Sequence, residues 1–143
     1  MSPFELTLLT KRVRDLEQYL AEVEPYLAIG VEKYLQDREK RYIVERLIQL
    51  IVEVASDINR SIIEQSHKDP ADTYYITFTR LVELKVLPEK LAQRLASSTG
   101  LRNRLVHRYE DVEHKIVYRT AVHMLEDYRR YTQLVHKYIK SVE

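Results

Sequence analysis

Apolar positions recur along this chain at intervals of three and four residues, and that spacing predicts helices almost from end to end. From Leu6 they fall at Leu9, Val13, Leu16, Leu20 and Val23, a single stripe along a first helix. Pro25 is expected to kink or restart that helix, because its ring removes a backbone hydrogen bond and crowds the preceding turn. A second stretch through Leu27 and Val31 runs on to Gln36, and the cluster Asp37-Arg38-Glu39-Lys40 is the expected break. Ile43, Val44, Leu47, Ile48, Ile51, Val54, Ala55, Ile58 and Ile62 then line a long central helix ending near Gln65. Its opposite face carries Arg41, Glu45, Arg46, Gln49, Glu53 and Asp57.

His67-Lys68-Asp69-Pro70 reads as a loop, since a proline pushes its predecessor out of helical space. A short helix is expected from Thr73 to Lys85, and Pro88-Glu89 opens the next, where a missing N–H is harmless and a carboxylate suits the helix dipole. That helix turns Leu91, Leu95, Leu101 and Leu105 inward, and Gly100 inside it suggests close approach by a neighbour. Asp111 is placed to cap a last long helix through Val112, Ile116, Val117, Met124, Leu125, Tyr128, Val135 and Ile139. The expectation is an all-α bundle of four to five helices forming one domain over residues 1–143.

Composition supports this and narrows the chemistry. Two glycines and four prolines leave little turn-forming material. No cysteine means no disulfide and no thiolate ligand, which fits a cytoplasmic setting. No apolar run approaches the roughly 18 residues that span a bilayer, and the opening Met-Ser-Pro-Phe-Glu-Leu lacks a signal-peptide layout, so no membrane partner is expected. The net charge is only +1, yet Lys90 to Tyr109 holds five cations and no acid, while the remainder carries 18 cations against 22 anions. A cationic stretch on an acidic body suits either phosphate or an acidic protein partner.

Several enzyme classes drop out: there is no Gly-rich phosphate loop, no HExxH and no GxSxG. The five histidines include no i, i+4 pair, so no metal site and no cofactor is expected. What remains is Arg102-Asn103-Arg104-Leu105-Val106-His107-Arg108-Tyr109. Arg followed at short range by His is nearly uninformative among 14 arginines, so the extended string is what carries weight. Each member also has an ordinary explanation: His107 at a helix end facing the last carbonyls, Arg102 paired with Glu45, Glu53 or Asp57, Tyr109 half-buried at a surface.

The string R-N-x-L-V-H-x-Y closing a helix, with an acidic turn and a final long helix after it, resembles HEPN-domain proteins and specifically the HepT toxin family. Arg41-Tyr42-x-x-Glu45-Arg46-x-x-Gln49, Thr73-Tyr74 and Gly100-Leu101-Arg102-Asn103 extend the likeness. The resemblance implies the toxin of a type VII-like toxin–antitoxin pair, a metal-independent RNA endonuclease with its site in a cleft between the protomers of a homodimer or higher oligomer, each supplying its Arg and His. It also implies a neutralising partner, an MntA-like nucleotidyltransferase antitoxin that adenylylates Tyr109. In such a site His107 would exchange protons with the ribose 2′-hydroxyl and the leaving oxygen, since imidazole ordinarily titrates at about 6.5. Arg102 would stabilise charge on phosphorus, with Asn103, Arg104 and Arg108 supporting it or holding RNA phosphates. Residues five apart lie about 140° apart around a helix, so Arg102 and His107 do not share one face; a two-chain site, or a helix that loosens near His107, would relieve this. The rival reading is a non-catalytic HEPN module that binds a nucleotide or a protein.

Overall fold

The computed structural model describes residues 1–66 and 69–143; among them there are six α-helices, one short 3-10 turn and no strand. Helix α1 is Pro3–Leu27, α2 Val31–Gln36, α3 Arg38–Gln65, α4 Tyr74–Glu83, α5 Glu89–His107 and α6 His114–Val142, with the turn at Tyr109–Asp111 between the last two. Of the expected loop at 67–70, His67 and Lys68 lie outside the described residues, and Asp69 and Pro70 belong to no helix.

Side-chain caps explain three of the six starts. Ser2 accepts from the Glu5 amide while Glu5 accepts from that of Ser2, a reciprocal cap with Pro3 at the first helical position. Asp37 accepts from the Lys40 amide and Thr73 from that of Ile76, each satisfying an orphan donor of the next helix. The break near residue 37 is therefore Asp37 alone, and Arg38 to Lys40 already form the first turn of α3.

Three expectations are corrected. Helix α1 passes through Pro25 and ends after Leu27, because a proline this close to the terminus forfeits only a last-turn hydrogen bond. The stop comes from Gly30, at φ +92, and from Tyr118 of α6, whose hydroxyl donates to the Leu27 carbonyl (2.6 Å) and accepts from the Gly30 amide (3.1 Å). Asp111 does not cap α6; it sits in the 3-10 turn paired with Arg108 at 2.8 Å, and Glu113 holds the cap position with no side-chain bond. No neighbour crowds Gly100: a Cβ built there would meet only the Arg104 guanidinium of its own helix, at 3.8 Å.

Helix α3 is the axis of the bundle, packing against all five other helices. Its stripe of Val44, Leu47, Ile48, Ile51, Val52, Ala55, Ile58, Ile62 and Ile63 is buried. Helix α1 runs antiparallel to it, tied by Arg12 to Ser61 and Gln65 to Glu5, and α6 runs antiparallel to α1, with Arg129 paired to Glu24 and His136 to Glu17. Phe78, Tyr128 and Tyr131 meet edge-on in the core. The hydroxyls of this cluster are satisfied: Tyr128 with Ser98 (2.7 Å), and Tyr131 donating to Asn59 (2.6 Å), which donates to Thr77 (3.0 Å), which donates to the Tyr74 carbonyl (2.7 Å). Among the described residues no helix is long and apolar enough to cross a membrane.

Candidate functional site

The motif spans the last turns of α5 and the corner that follows. Arg102, only 16% exposed, lies across the long axis of α3: its Nε and Nη2 donate to one oxygen of Glu53, at 3.1 and 2.9 Å. Its guanidinium carbon sits 4.8 Å from the ring centre of Tyr74, and Arg60 lies 5.1 Å from that same centre. A carboxylate and an aromatic face thus hold the fork in one orientation. The third nitrogen, Nη1, donates to Asn103 Oδ1 at 3.2 Å.

His107 is the last residue of α5; it is exposed and has no side-chain hydrogen bond or ion pair among the described residues. The helix does not loosen before it, for the Arg108 amide still donates to the Arg104 carbonyl at 2.9 Å. Arg102 and His107 therefore keep their separate directions on a regular helix, and one of the two reliefs for their poor alignment is gone.

The acid-free stretch of sequence is not acid-free in space. Arg94 meets Asp127 of α6 at 3.1 Å, Arg102 meets Glu53, and Arg108, well exposed, meets Asp111. Exposed Arg104 makes no ion pair among the described residues, so it is the motif arginine whose charge is most available to a phosphate.

Tyr109 begins the corner. Its hydroxyl donates to Glu45 Oε1 at 2.8 Å, its ring lies 6.0 Å from that of His114, and 40% of the residue is exposed. Burial of the phenol, and then the bond to Glu45 and its negative charge, push its pKa up to about 12. Glu45 was expected on the solvent face of its helix. Instead it is 4% exposed, with its second oxygen 3.1 Å from His114 Nδ1 but off the line of a hydrogen bond.

Sequence spacing reaches the motif residues but not the groups that hold them. Glu53 was visible only as one of several acids on one helix, and Glu45 as another that also falls in the Arg41-Tyr42-x-x-Glu45-Arg46-x-x-Gln49 likeness. Tyr74 entered only through the Thr73-Tyr74 likeness and His114 not at all, because the roles of both arise where distant segments meet.

The family described as ribonuclease HepT-like matches residues 16–135. A tRNA nuclease HepT from Aphanizomenon flos-aquae is 32% identical over 143 residues, covering 100% of this chain and 97% of its own. An mRNA nuclease HepT from Shewanella oneidensis is 28% identical over 95 residues, covering 64% of this chain and 66% of its own. Among solved structures, a tri-AMPylated Shewanella oneidensis HEPN toxin in complex with an MNT antitoxin superposes with a TM-score of 0.84 at 20% identity, over 96% of this chain and 99% of that one. The cytosolic protein YutE from Bacillus subtilis gives 0.82 at 18%, over 94% and 90%. At those identities the structures speak for the all-α HEPN fold. With its matching core, its full-length relative and its R-N-x-L-V-H-x-Y corner, the chain belongs to the HepT-like ribonuclease family.

Proposed function

We propose that this protein is a metal-independent endoribonuclease toxin acting in the cytoplasm, with Arg102 and His107 as its catalytic residues. In this reading His107 takes the proton of a ribose 2′-hydroxyl as that oxygen attacks phosphorus, or returns one to the departing 5′-oxygen. The products are a 2′,3′-cyclic phosphate and a free 5′-hydroxyl. Arg102 lends its charge to the crowded phosphorus, Asn103 steadies it, and Arg104 and Arg108 hold flanking phosphates. The observation that carries the reading is the contrast on one rigid helix between a clamped arginine and an unengaged terminal histidine. Since the regular helix points them apart, the site is composed across the two-fold axis of a homodimer, Arg102 from one subunit working with His107 from the other. An MntA-type nucleotidyltransferase neutralises the toxin by adenylylating Tyr109, placing a nucleotide beside Arg104 and Arg108.

The test is RNA cleavage by the purified protein in EDTA. Arg102→Ala and His107→Ala should each lose on the order of 10²-fold or more in rate while keeping their helicity. Co-expressing the two variants restores one intact site per mixed dimer, so part of the activity returns; a mixture as inactive as its parents rules out the shared site. Cleavage lost on chelation, or retained in full by His107→Ala, overturns the mechanism. A protein that binds RNA or nucleotide without cleaving either would instead be a non-catalytic HEPN module.

A further inference from the structure

Tyr109 is one of 11 tyrosines, and what distinguishes it is its partner. Among the described residues the hydroxyls of Tyr118, Tyr128 and Tyr131 bond to backbone or neutral side-chain groups, whereas that of Tyr109 donates to a carboxylate. That carboxylate is buried, which is costly without compensation, and its near partners are Tyr109, the last residue of the motif, and His114 at the start of α6. Glu45 does not touch Arg102, whose clamp is Glu53 two turns further along α3. Nothing in the proposed cleavage step uses it.

We infer that Glu45 is the residue that accepts the phenolic proton when Tyr109 is nucleotidylated, so that the target protein carries the base for its own modification. This rests on the reading of Tyr109 as the modified residue. The need for a base follows from the phenol itself, which is less acidic here than a free tyrosine and at neutral pH holds its proton. A nucleophile in that state requires an acceptor within hydrogen-bond reach, and Glu45 Oε1 stands 2.8 Å away.

The step balances as follows. The Tyr109 oxygen attacks the α-phosphorus of ATP, a new O–P bond forms, and the bond from that phosphorus to the bridging oxygen breaks, releasing pyrophosphate. The electron pair of the O–H bond stays on the phenolic oxygen as its proton moves to Glu45. The new phosphodiester anion thus appears beside a neutral acid instead of a carboxylate, and the repulsion that would expel the modified side chain is removed in the same event. The proton remains on Glu45 until it exchanges with solvent. The other charged and titratable groups of this corner are Tyr34 from α2, Arg41 and Tyr42 from α3, Arg108, Glu110 and Asp111 beside Tyr109 in the turn, and Glu113 and His114 at the start of α6.

The experiment follows transfer of radiolabel from [α-32P]ATP by an MntA-type nucleotidyltransferase, with the labelled residue mapped by mass spectrometry. Glu45→Gln keeps shape and loses the base, so labelling of Tyr109 should slow by about 10²-fold at neutral pH and recover as pH rises, when hydroxide replaces the missing acceptor. Glu45→Asp keeps a carboxylate in the same place and should regain part of the rate without that steep pH dependence; circular dichroism establishes that each variant is folded. Equal rates and pH profiles for wild type and Glu45→Gln overturn the assignment, as do equally slow Gln and Asp variants with a common profile. Wild-type protein that takes label elsewhere than Tyr109 overturns the reading beneath it, and this step falls with it.

Discussion

Two kinds of side chain meet in this motif: those held by the fold and those left free. Arg102 is held, and its geometry is only as good as Glu53 and Tyr74 make it. Glu53→Gln keeps the volume but weakens the grip on Nε and Nη2, so the guanidinium should wander from the phosphorus it is proposed to serve. Because a small misplacement can cost up to about 10²-fold, we expect RNA cleavage to drop by on the order of 10-fold in kcat with KM little changed. Single-turnover kinetics check this, and an unchanged kcat would mean that the clamp is idle. The sequence exposed Arg102 and His107 through their neighbours in an unbroken string. It could only name Glu53 among three acids, because the pairing joins residues 49 apart and depends on how α5 crosses α3. Glu45 was misplaced for a related reason: helical periodicity assigns it to a polar face, while the corner at Tyr109–His114 folds over it and buries it.

At the level of elements, every helix falls on a stretch the sequence marks as helical, but the count is six and not four to five because α2 stands apart from α1, and the other errors fell on helix ends. Pro25 carried the stronger local signal for a stop, yet Gly30 and the Tyr118 hydroxyl end the helix, and the latter contact spans 91 residues. Such a cap cannot be read locally. The two glycines now make opposite predictions. Gly30→Ala forces a Cβ into a backbone at φ +92 and should destabilise by roughly 1–3 kcal/mol. Gly100→Ala adds a methyl to a regular helix with no contact closer than 3.8 Å; the gain in helix propensity should stabilise by about 1 kcal/mol. Urea unfolding curves measure both, and a destabilised Gly100→Ala would show that the groove over α5 is tighter than its geometry indicates.

Across the whole molecule, tyrosine does much of the work usually left to aliphatic residues. Burial raises the phenols of Tyr34, Tyr128, Tyr131 and Tyr138, and of Tyr109 together with Glu45. In the unfolded chain such groups ionise at about 10, so above that pH it sheds protons that the fold retains. Stability should therefore be full below pH 10 and fall as pH rises through the folded-state values, Tyr109 at about 12 among them. Melting temperatures should hold between pH 8 and 10 and decline steeply as pH rises from 10 towards 12, and a profile flat across that upper range would contradict these burials. Of these only Tyr128 stood in an apolar stripe of the sequence, since how deeply a tyrosine is buried is decided where the helices pack. The same habit marks the polar chain from Tyr131 through Asn59 and Thr77 to the Tyr74 backbone, which joins α6, α3 and α4 beneath the ring that steadies Arg102. Changing one member strands a hydrogen-bonding group in an apolar interior, whereas changing all three to apolar residues of matching shape would not. Descent should consequently treat positions 59, 77 and 131 as a single heritable unit, kept together or replaced together, in lineages where each residue separately would be free to drift.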